Sequence, residues 1–253
     1  MAPPPGAVPD RQTPHRPEVT RHALPPRRVA AVVNGSGDRV QDRIVWIDCE
    51  MTGLDLTRDA LIEVAALVTD SELNVLGTGI DVVIKPPAAA LAQMNDVVHQ
   101  MHTASGLLAE LDVGLTLAEA EDAVLGYVRQ WVPEASRCPL AGNSVATDRG
   151  FLARDMSRLE RHLHYRIIDV SSIKELARRW FPRIYFASPD KHGGHRALAD
   201  IRESIEELKY YREALFVPQP GPDSETARRI AAKYVIGAAP APAAPEPPAA
   251  ATD

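Results

Sequence analysis

The chain has 253 residues and a formal net charge of −6, and it contains no apolar run long enough to span a bilayer. The N-terminal residues lack the apolar stretch of a signal peptide, so export is not indicated and we expect a cytoplasmic protein. The acidic balance argues against a protein that follows a long nucleic acid with a basic surface stripe.

Composition divides the chain into three parts. Residues 1–41 are rich in Pro and Arg, and residues 218–253 are rich in Ala and Pro. Neither end can bury a core, so we expect both to be disordered, apart from a short helix at 224–234. Residues 42–217 then form one folded domain. Its two cysteines, Cys49 and Cys138, belong to no paired ligand motif, so we expect reduced core thiols.

The periodicity of the apolar residues predicts an α/β domain. In chain order we expect strands at 43–50, 61–69 and 79–85; helices at 88–95, 103–110 and 116–131; a strand at 139–141 and a helix at 148–162; and a strand at 166–170 followed by helices at 171–181 and 196–215. Short links between the first three strands favour antiparallel pairing, and the helices around the last two strands favour parallel pairing. The prediction is a mixed five-stranded sheet flanked by helices.

Four acidic residues and one histidine stand out within this framework. Asp48 and Glu50 lie two residues apart in IVWIDCEM, so a strand directs both carboxylates to one face. Asp148 is expected where a helix starts after a strand, and Asp200 one turn into the last long helix. His195 precedes Asp200 by five residues. We expect all five side chains to meet above the first strand.

This set is typical of a two-metal phosphodiesterase. Buried carboxylates repel one another unless a cation holds them, and oxygen ligands favour Mg²⁺ or Mn²⁺. We expect Asp48, Glu50 and Asp200 to hold one ion. A second ion would bind chiefly Asp48, and Asp148 would complete the site through coordinated water. His195 would accept the proton of the attacking water.

Each member also has an alternative interpretation. Asp48 and Glu50 are also compatible with polar residues that face solvent at a strand end. Asp148 is also compatible with a helix N-terminal acid that interacts with the helix dipole. Taken singly, His195 is also compatible with a helix-start or surface histidine, and Asp200 with the ordinary surface of a helix. The prediction therefore depends on the whole set.

The pattern Asp-x-Glu, then Asp, then His-x₄-Asp resembles the DEDDh exonucleases of the ribonuclease H-like fold. Longer segments resemble the oligoribonuclease branch, whose members are 3′→5′ exoribonucleases of very short RNA. These segments cover nearly all of the predicted domain and neither tail: WIDCEMTGLD, LIEVAALVTD, MHTASGL, AGNSVATDRGFL, HYRIIDVSSIKELARRW and HRALADIRESIEELKYYRE.

The resemblance implies further roles. Leu54 would pack against a base, and Tyr165 would reach into the site of a partner protomer, which implies a homodimer. The 5′-phosphate of a two-residue substrate would be capped by Ser144, Arg166, Ser171 and Ser172. Alternatively, Ser171 and Ser172 are N-caps of the next helix, and Arg166 pairs with a surface acid.

The chain departs from the family pattern at one point. Where the resemblance implies a stacking tryptophan after Gln93 and Met94, the sequence has Val97 and Val98. The base is then expected to meet aliphatic side chains or His99, or the local alignment is shifted.

The leading functional hypothesis is a metal-dependent exoribonuclease that releases 5′-mononucleotides from oligoribonucleotides, dinucleotides especially. An exonuclease of the same superfamily that acts on longer strands has the same five residues and remains an alternative. A third alternative is a non-catalytic nucleic-acid-binding module that retains the fold.

Overall fold

The structure is a computed structural model that describes residues 39–191 and 194–236. Of the tails predicted to be disordered, 1–41 and 218–253, residues 1–38 and 237–253 lie outside the described residues. The strands are β1 (Ile44–Met51), β2 (Leu61–Thr69), β3 (Val75–Val83), β4 (Pro139–Gly142) and β5 (His164–Asp169). The α-helices are α1 (Ala88–Ala92), α2 (Asp96–Ala104), α3 (Leu117–Trp131), α4 (Ala146–Asp155), α5 (Ser157–His162), α6 (Val170–Trp180), α7 (Pro182–Phe186), α8 (Ala197–Leu215) and α9 (Ser224–Ala232).

The five strands form one mixed sheet in the order β3-β2-β1-β4-β5. The β1–β2 and β2–β3 pairs are antiparallel, whereas the β1–β4 and β4–β5 pairs are parallel. The antiparallel pairing of the first three strands and the parallel pairing of the last two confirm the predicted mixed sheet. Strand β1 is central, so its neighbours satisfy its backbone on both edges and its side chains can be buried on both faces.

The two faces of β1 pack into different cores. Val45, Ile47 and Cys49 belong to the core that contains residues of α3, α4 and α5. Ile44 and Trp46 belong to the core that contains residues of α6 and α8. Because side chains alternate along a strand, residues 48 and 50 lie on the α8 side of the sheet.

Several predicted boundaries are confirmed and others are wrong. Helix α3 agrees with the prediction: Thr116 and Glu119 form a reciprocal capping box at its start. The helix predicted at 103–110 is wrong, because Gly106 has a left-handed φ of 79° and interrupts it. A helix lies instead upstream, at Asp96–Ala104, and the Asn95 side chain caps it by accepting a hydrogen bond from the Val98 N–H.

The other differences are local. The helix predicted at 148–162 is two helices, because Met156 adopts a non-helical conformation between α4 and α5. Strand β3 begins at Val75, four residues before the predicted start, and α7 was not predicted. The short helix expected near residue 224 is present as α9. Cys49 and Cys138 are buried free thiols, as predicted.

Candidate active site

Asp48 and Glu50 occupy the C-terminal half of β1 on the face that α8 covers. Glu50 is 9% exposed and Asp48 is half-buried, so neither is a solvent-facing residue of a strand end. That alternative interpretation is wrong. Strand β2 pairs with β1 opposite both residues, so the sheet itself fixes the positions of these two carboxylates.

The other two acids come from the first turns of two helices. Asp148 is the third residue of α4 and is buried; its Oδ1 accepts a hydrogen bond of 3.0 Å from the backbone N–H of Cys49. Asp200 is the fourth residue of α8 and is half-buried. His195 lies two residues before α8, is exposed, and has a left-handed φ of 59°.

All five predicted residues line one cavity of about 520 Å³. Ligand atoms of Glu50, His195 and Asp200 lie within 4.8 Å of one another. The structure therefore brings together the five residues that the sequence singled out. A ring nitrogen of His195 lies close enough to Glu50 and Asp200 to coordinate a metal ion together with them.

The carboxylates are crowded, and their pKa values show it. Burial, with the charges of Asp200 and Glu63 next, raises the pKa of Glu50 to about 8. Burial raises the pKa of Asp148 to about 6. The pKa of Asp48 is also well above its ordinary value, because of burial and then the charges of Asp148 and Glu50. Such a cluster holds its negative charge at neutral pH only at a cost in free energy, which a bound cation would offset.

The donor chemistry fits divalent Mg²⁺ or Mn²⁺. Four carboxylates from three elements supply oxygen ligands, and the acids repel one another in the absence of positive charge. The thiol of Cys49 is not part of this donor set, because it lies on the other face of β1 and burial raises its pKa well above the ordinary value. The site is therefore an oxygen-rich one.

An apolar rim borders the acids. Leu54, in the turn after β1, is 76% exposed and lines the cavity, as do Val98 and Met101 of α2. Val97 is exposed but does not line the cavity. Of the two valines at the expected position of an aromatic residue, Val98 is the one directed to the site.

A hydrogen-bonded pair of serines, Ser144 and Ser171, includes one residue of the cavity lining. Ser144 lines the cavity, and its backbone N–H and its hydroxyl each donate to Oγ of Ser171, at 3.0 and 3.2 Å. The N-cap of α6 is Asp169, whose side chain accepts from the Ser171 N–H. The alternative in which Ser171 and Ser172 are N-caps is therefore wrong.

Four of the predicted substrate residues do not line the cavity of this single chain: Tyr165, Arg166, Ser171 and Ser172. Tyr165, Arg166 and Ser172 are exposed, and the Arg166 guanidinium lies 5.6 Å from the centroid of the Tyr165 ring. Tyr165 was expected to act on a second protomer, so its distance from this cavity leaves that prediction untested.

A buried network behind the serines was missed by the sequence reasoning. Asn143 donates through Nδ2 to Oγ of Ser204, at 2.7 Å, and to Oε2 of Glu207, at 3.2 Å, and its Oδ1 accepts from Ser171. Glu207 is buried and also pairs with Lys191, a cavity residue, at 2.6 Å. No local pattern in the sequence indicates these contacts, which join residues more than sixty positions apart in the case of Asn143 and Ser204.

Two further neighbours of the acids were also missed. His102 is fully buried; its Nε2 lies 2.9 Å from the Met51 carbonyl and its Nδ1 lies 4.0 Å from Glu50. Glu63, in the middle of the apolar run LIEVAALVT, is fully buried directly across from Glu50. An acidic residue within an apolar strand could have identified Glu63 as a candidate site residue, because the same feature identified Asp48 and Glu50.

Comparison with known proteins assigns this arrangement to a family. An exonuclease family model, RNase_T, matches residues 45–208. The chain is 73% identical over 199 residues to the oligoribonuclease of Streptomyces coelicolor. The aligned residues make up 79% of this chain and 100% of the relative. It is 65% identical over 191 residues to that of Cutibacterium acnes, covering 76% of this chain and 95% of the relative. The chain belongs to the oligoribonuclease family.

Solved structures support the fold. A product-bound exonuclease I superposes with a TM-score of 0.52 at 15% identity, over 68% of this chain and 44% of that one. A zinc-bound complex of Escherichia coli exonuclease I with single-stranded DNA gives a TM-score of 0.52 at 16% identity, over 69% of this chain and 41% of that one. This chain thus spans less than half the length of these exonucleases and shares their fold. Of the helices in its described part, none combines the length and hydropathy that a membrane span requires.

Proposed function

We propose that this chain is a 3′→5′ exoribonuclease that hydrolyses short oligoribonucleotides, dinucleotides especially, to 5′-mononucleotides in the cytoplasm. The observation that supports this most strongly is the convergence of Asp48, Glu50, Asp148, Asp200 and His195 on one cavity. The relatives named oligoribonuclease support the substrate class.

The four carboxylates would hold two divalent cations, Mg²⁺ or Mn²⁺. When bound, these ions would supply positive charge that lowers the pKa of a water molecule and stabilises the leaving 3′-oxygen. The proposed ligands are Asp48, Glu50, Asp148 and Asp200. Their raised pKa values support the need for cations, since each acid is costly to ionise among the others.

His195 would take the proton of the attacking water as the water oxygen forms its bond to phosphorus. The bond from phosphorus to the 3′-oxygen of the preceding nucleotide then breaks, and that oxygen leaves as a hydroxyl once it is protonated. An exposed imidazole beside two acids suits this task, because it can exchange its proton with solvent after each turnover.

The remaining contacts would position the substrate. Leu54 would cover a base from one side, with Val98 near it. Ser144 and Ser171 would donate hydrogen bonds to a terminal 5′-phosphate. Arg166, Ser172 and Tyr165 would contribute to the phosphate cap and to the site of a partner protomer in a homodimer.

The length of the preferred substrate tests this proposal. Labelled RNAs of two, seven and thirty nucleotides are incubated with Mn²⁺ and, in parallel, with chelator. We expect metal-dependent release of mononucleotides that is fastest for the two-residue RNA. Equal or faster turnover of the thirty-residue RNA would support the exonuclease of longer strands instead. Binding without turnover at any length would support the non-catalytic module.

A further inference from the structure

Arg196, the residue that follows His195, is fixed between two acids from distant parts of the chain. Its Nε donates to Oε1 of Glu63 at 2.8 Å. Its Nη1 and Nη2 donate to Oε1 and Oε2 of Glu110 at 2.8 and 3.2 Å. A guanidinium that uses three nitrogens in this way has little freedom to move. We call these three side chains the acid–arginine cluster.

Glu63 also fixes the backbone after Arg196. Its Oε2 accepts a hydrogen bond of 2.9 Å from the N–H of Ala197, the first residue of α8. Arg196 is the N-cap of α8 and makes no side-chain cap of its own. A fully buried acid of β2 therefore performs the capping, and it binds both residues that follow His195.

The backbone conformation of His195 is one that the surrounding structure must hold in place. Its φ of 59° lies in the left-handed region, which residues other than glycine rarely adopt. A conformation of this kind persists only where the surrounding structure holds it in place. His195 is exposed, and the two residues that follow it, Arg196 and Ala197, are both bound by Glu63.

We propose that Arg196 is a positioning residue, which acts through its contacts with Glu63 and Glu110 to hold His195 over the acids. The inference rests on the proposed function, since it assigns how the proposed base is placed. The three members of the cluster come from positions 63, 110 and 196, so only the fold brings them together.

A second role must be separated from this one. Glu63 is the cross-strand partner of Glu50, so Arg196 also places positive charge near a proposed metal ligand. Loss of Arg196 would then weaken the carboxylate site itself. A double-mutant cycle with His195 distinguishes the two roles, because a residue that acts through His195 has no further effect once the imidazole is gone.

The experiment measures kcat, KM and Mn²⁺ affinity on a dinucleotide for wild type, Arg196→Ala, His195→Ala and the double variant. Arg212→Ala is the matched control, because Arg212 lies on the same helix and pairs with Glu72 away from the cavity. We expect Arg196→Ala to lower kcat by about 10- to 100-fold, with KM and Mn²⁺ affinity little changed. We expect Arg196→Ala to cause no further loss in the His195→Ala background.

If Arg196→Ala lowers kcat equally in the wild-type and His195→Ala backgrounds, the inference is overturned in favour of the charge role. If the kcat of Arg196→Ala equals that of the Arg212→Ala control, Arg196 has no positioning role. Should Arg196→Ala unfold, Glu110→Gln removes only the half-exposed partner and enters the same cycle, with a smaller loss expected. A wild-type protein that cleaves no RNA would instead refute the proposed function, and this inference with it. The two failures are therefore distinguishable.

Discussion

The backbone N–H of Cys49 donates to Oδ1 of Asp148, so an acid of α4 is tied to the residue between the two acids of β1. This contact sets how far α4 lies from the central strand at the active site. It also places a third carboxylate beside Asp48 and Glu50, where burial raises the pKa of Asp148 to about 6.

Asp148→Asn should separate activity from stability. The amide oxygen can still accept from Cys49, while the buried charge is removed. We expect turnover to fall by orders of magnitude and the free energy of unfolding of the metal-free protein to rise by about 1 to 3 kcal/mol at alkaline pH. Urea unfolding with chelator measures this. Asp122→Asn, an exposed acid paired with Arg158, should change stability by less than about 1 kcal/mol. A destabilised Asp148→Asn protein would contradict the prediction.

The stability of the metal-free protein should fall as the pH rises. Glu50 and Asp148 have pKa values raised to about 8 and about 6 in the folded state, so the fold binds protons more tightly than the unfolded chain does. Their stabilising contribution is complete below about pH 4 and is lost as the pH rises through about 6 and then about 8. Mn²⁺ should therefore raise Tm more at about pH 8.5 than at about pH 5.5.

Thermal unfolding at the two pH values, with Mn²⁺ and with chelator, measures this difference. The Asp148→Asn variant should show a smaller dependence on pH, since one of the acids with a raised pKa is absent. A gain in Tm that is the same at both pH values would show that the carboxylates are not the groups that bind the ion.

His195→Ala should remove the proposed general base and leave the proposed metal ligands in place. We expect a loss of about 10²- to 10⁴-fold in kcat with Mn²⁺ affinity nearly unchanged, as measured by calorimetry. Asp200→Asn is the contrasting variant, because it should lose both turnover and Mn²⁺ affinity. The ring nitrogen lies close enough to Glu50 and Asp200 to be a ligand itself. A large loss of Mn²⁺ binding in His195→Ala would assign it that role.

Leu54→Ala should weaken binding of the substrate's nucleobase and leave the rate of the chemical step little changed. Removal of an exposed aliphatic side chain that lines the cavity should raise KM for a dinucleotide by about 5- to 10-fold, with kcat little changed. Val97→Ala is the control, since Val97 is equally exposed and does not line the cavity. Val98→Trp should lower KM by adding a stacking surface. Equal effects of Leu54→Ala and Val97→Ala would mean that the base binds elsewhere.

The sequence was sufficient for features that depend on local spacing. The two-residue separation of Asp48 and Glu50 predicted a shared face, and the short links between the first three strands predicted their antiparallel order. It was insufficient where a single residue changes the backbone direction. Gly106 interrupts a predicted helix, and Met156 divides another, and neither event alters the apolar pattern around it.

Contacts between residues far apart in the chain could not be predicted from the sequence either. The hydrogen bond from Arg196 to Glu63 joins residues 133 positions apart, and nothing in HRALADIRES indicates it. The contacts of Asn143 with Ser204 and Glu207 are equally remote along the chain. Such pairs are set by the packing of α8 on the sheet, which is a property of the tertiary structure and not of any segment.

The position of three acids, Asp48, Glu50 and Glu63, inside the sheet has a consequence for the life of the protein in a cell. Burying these acids costs free energy, and the divalent cation proposed to bind Asp48 and Glu50 would offset part of that cost, so it would stabilise the fold as well as take part in the proposed reaction. If the proposed function holds with Mg²⁺ as the ion, magnesium starvation would lower the amount of folded protein as well as the activity of each molecule, and short RNA fragments would accumulate for both reasons.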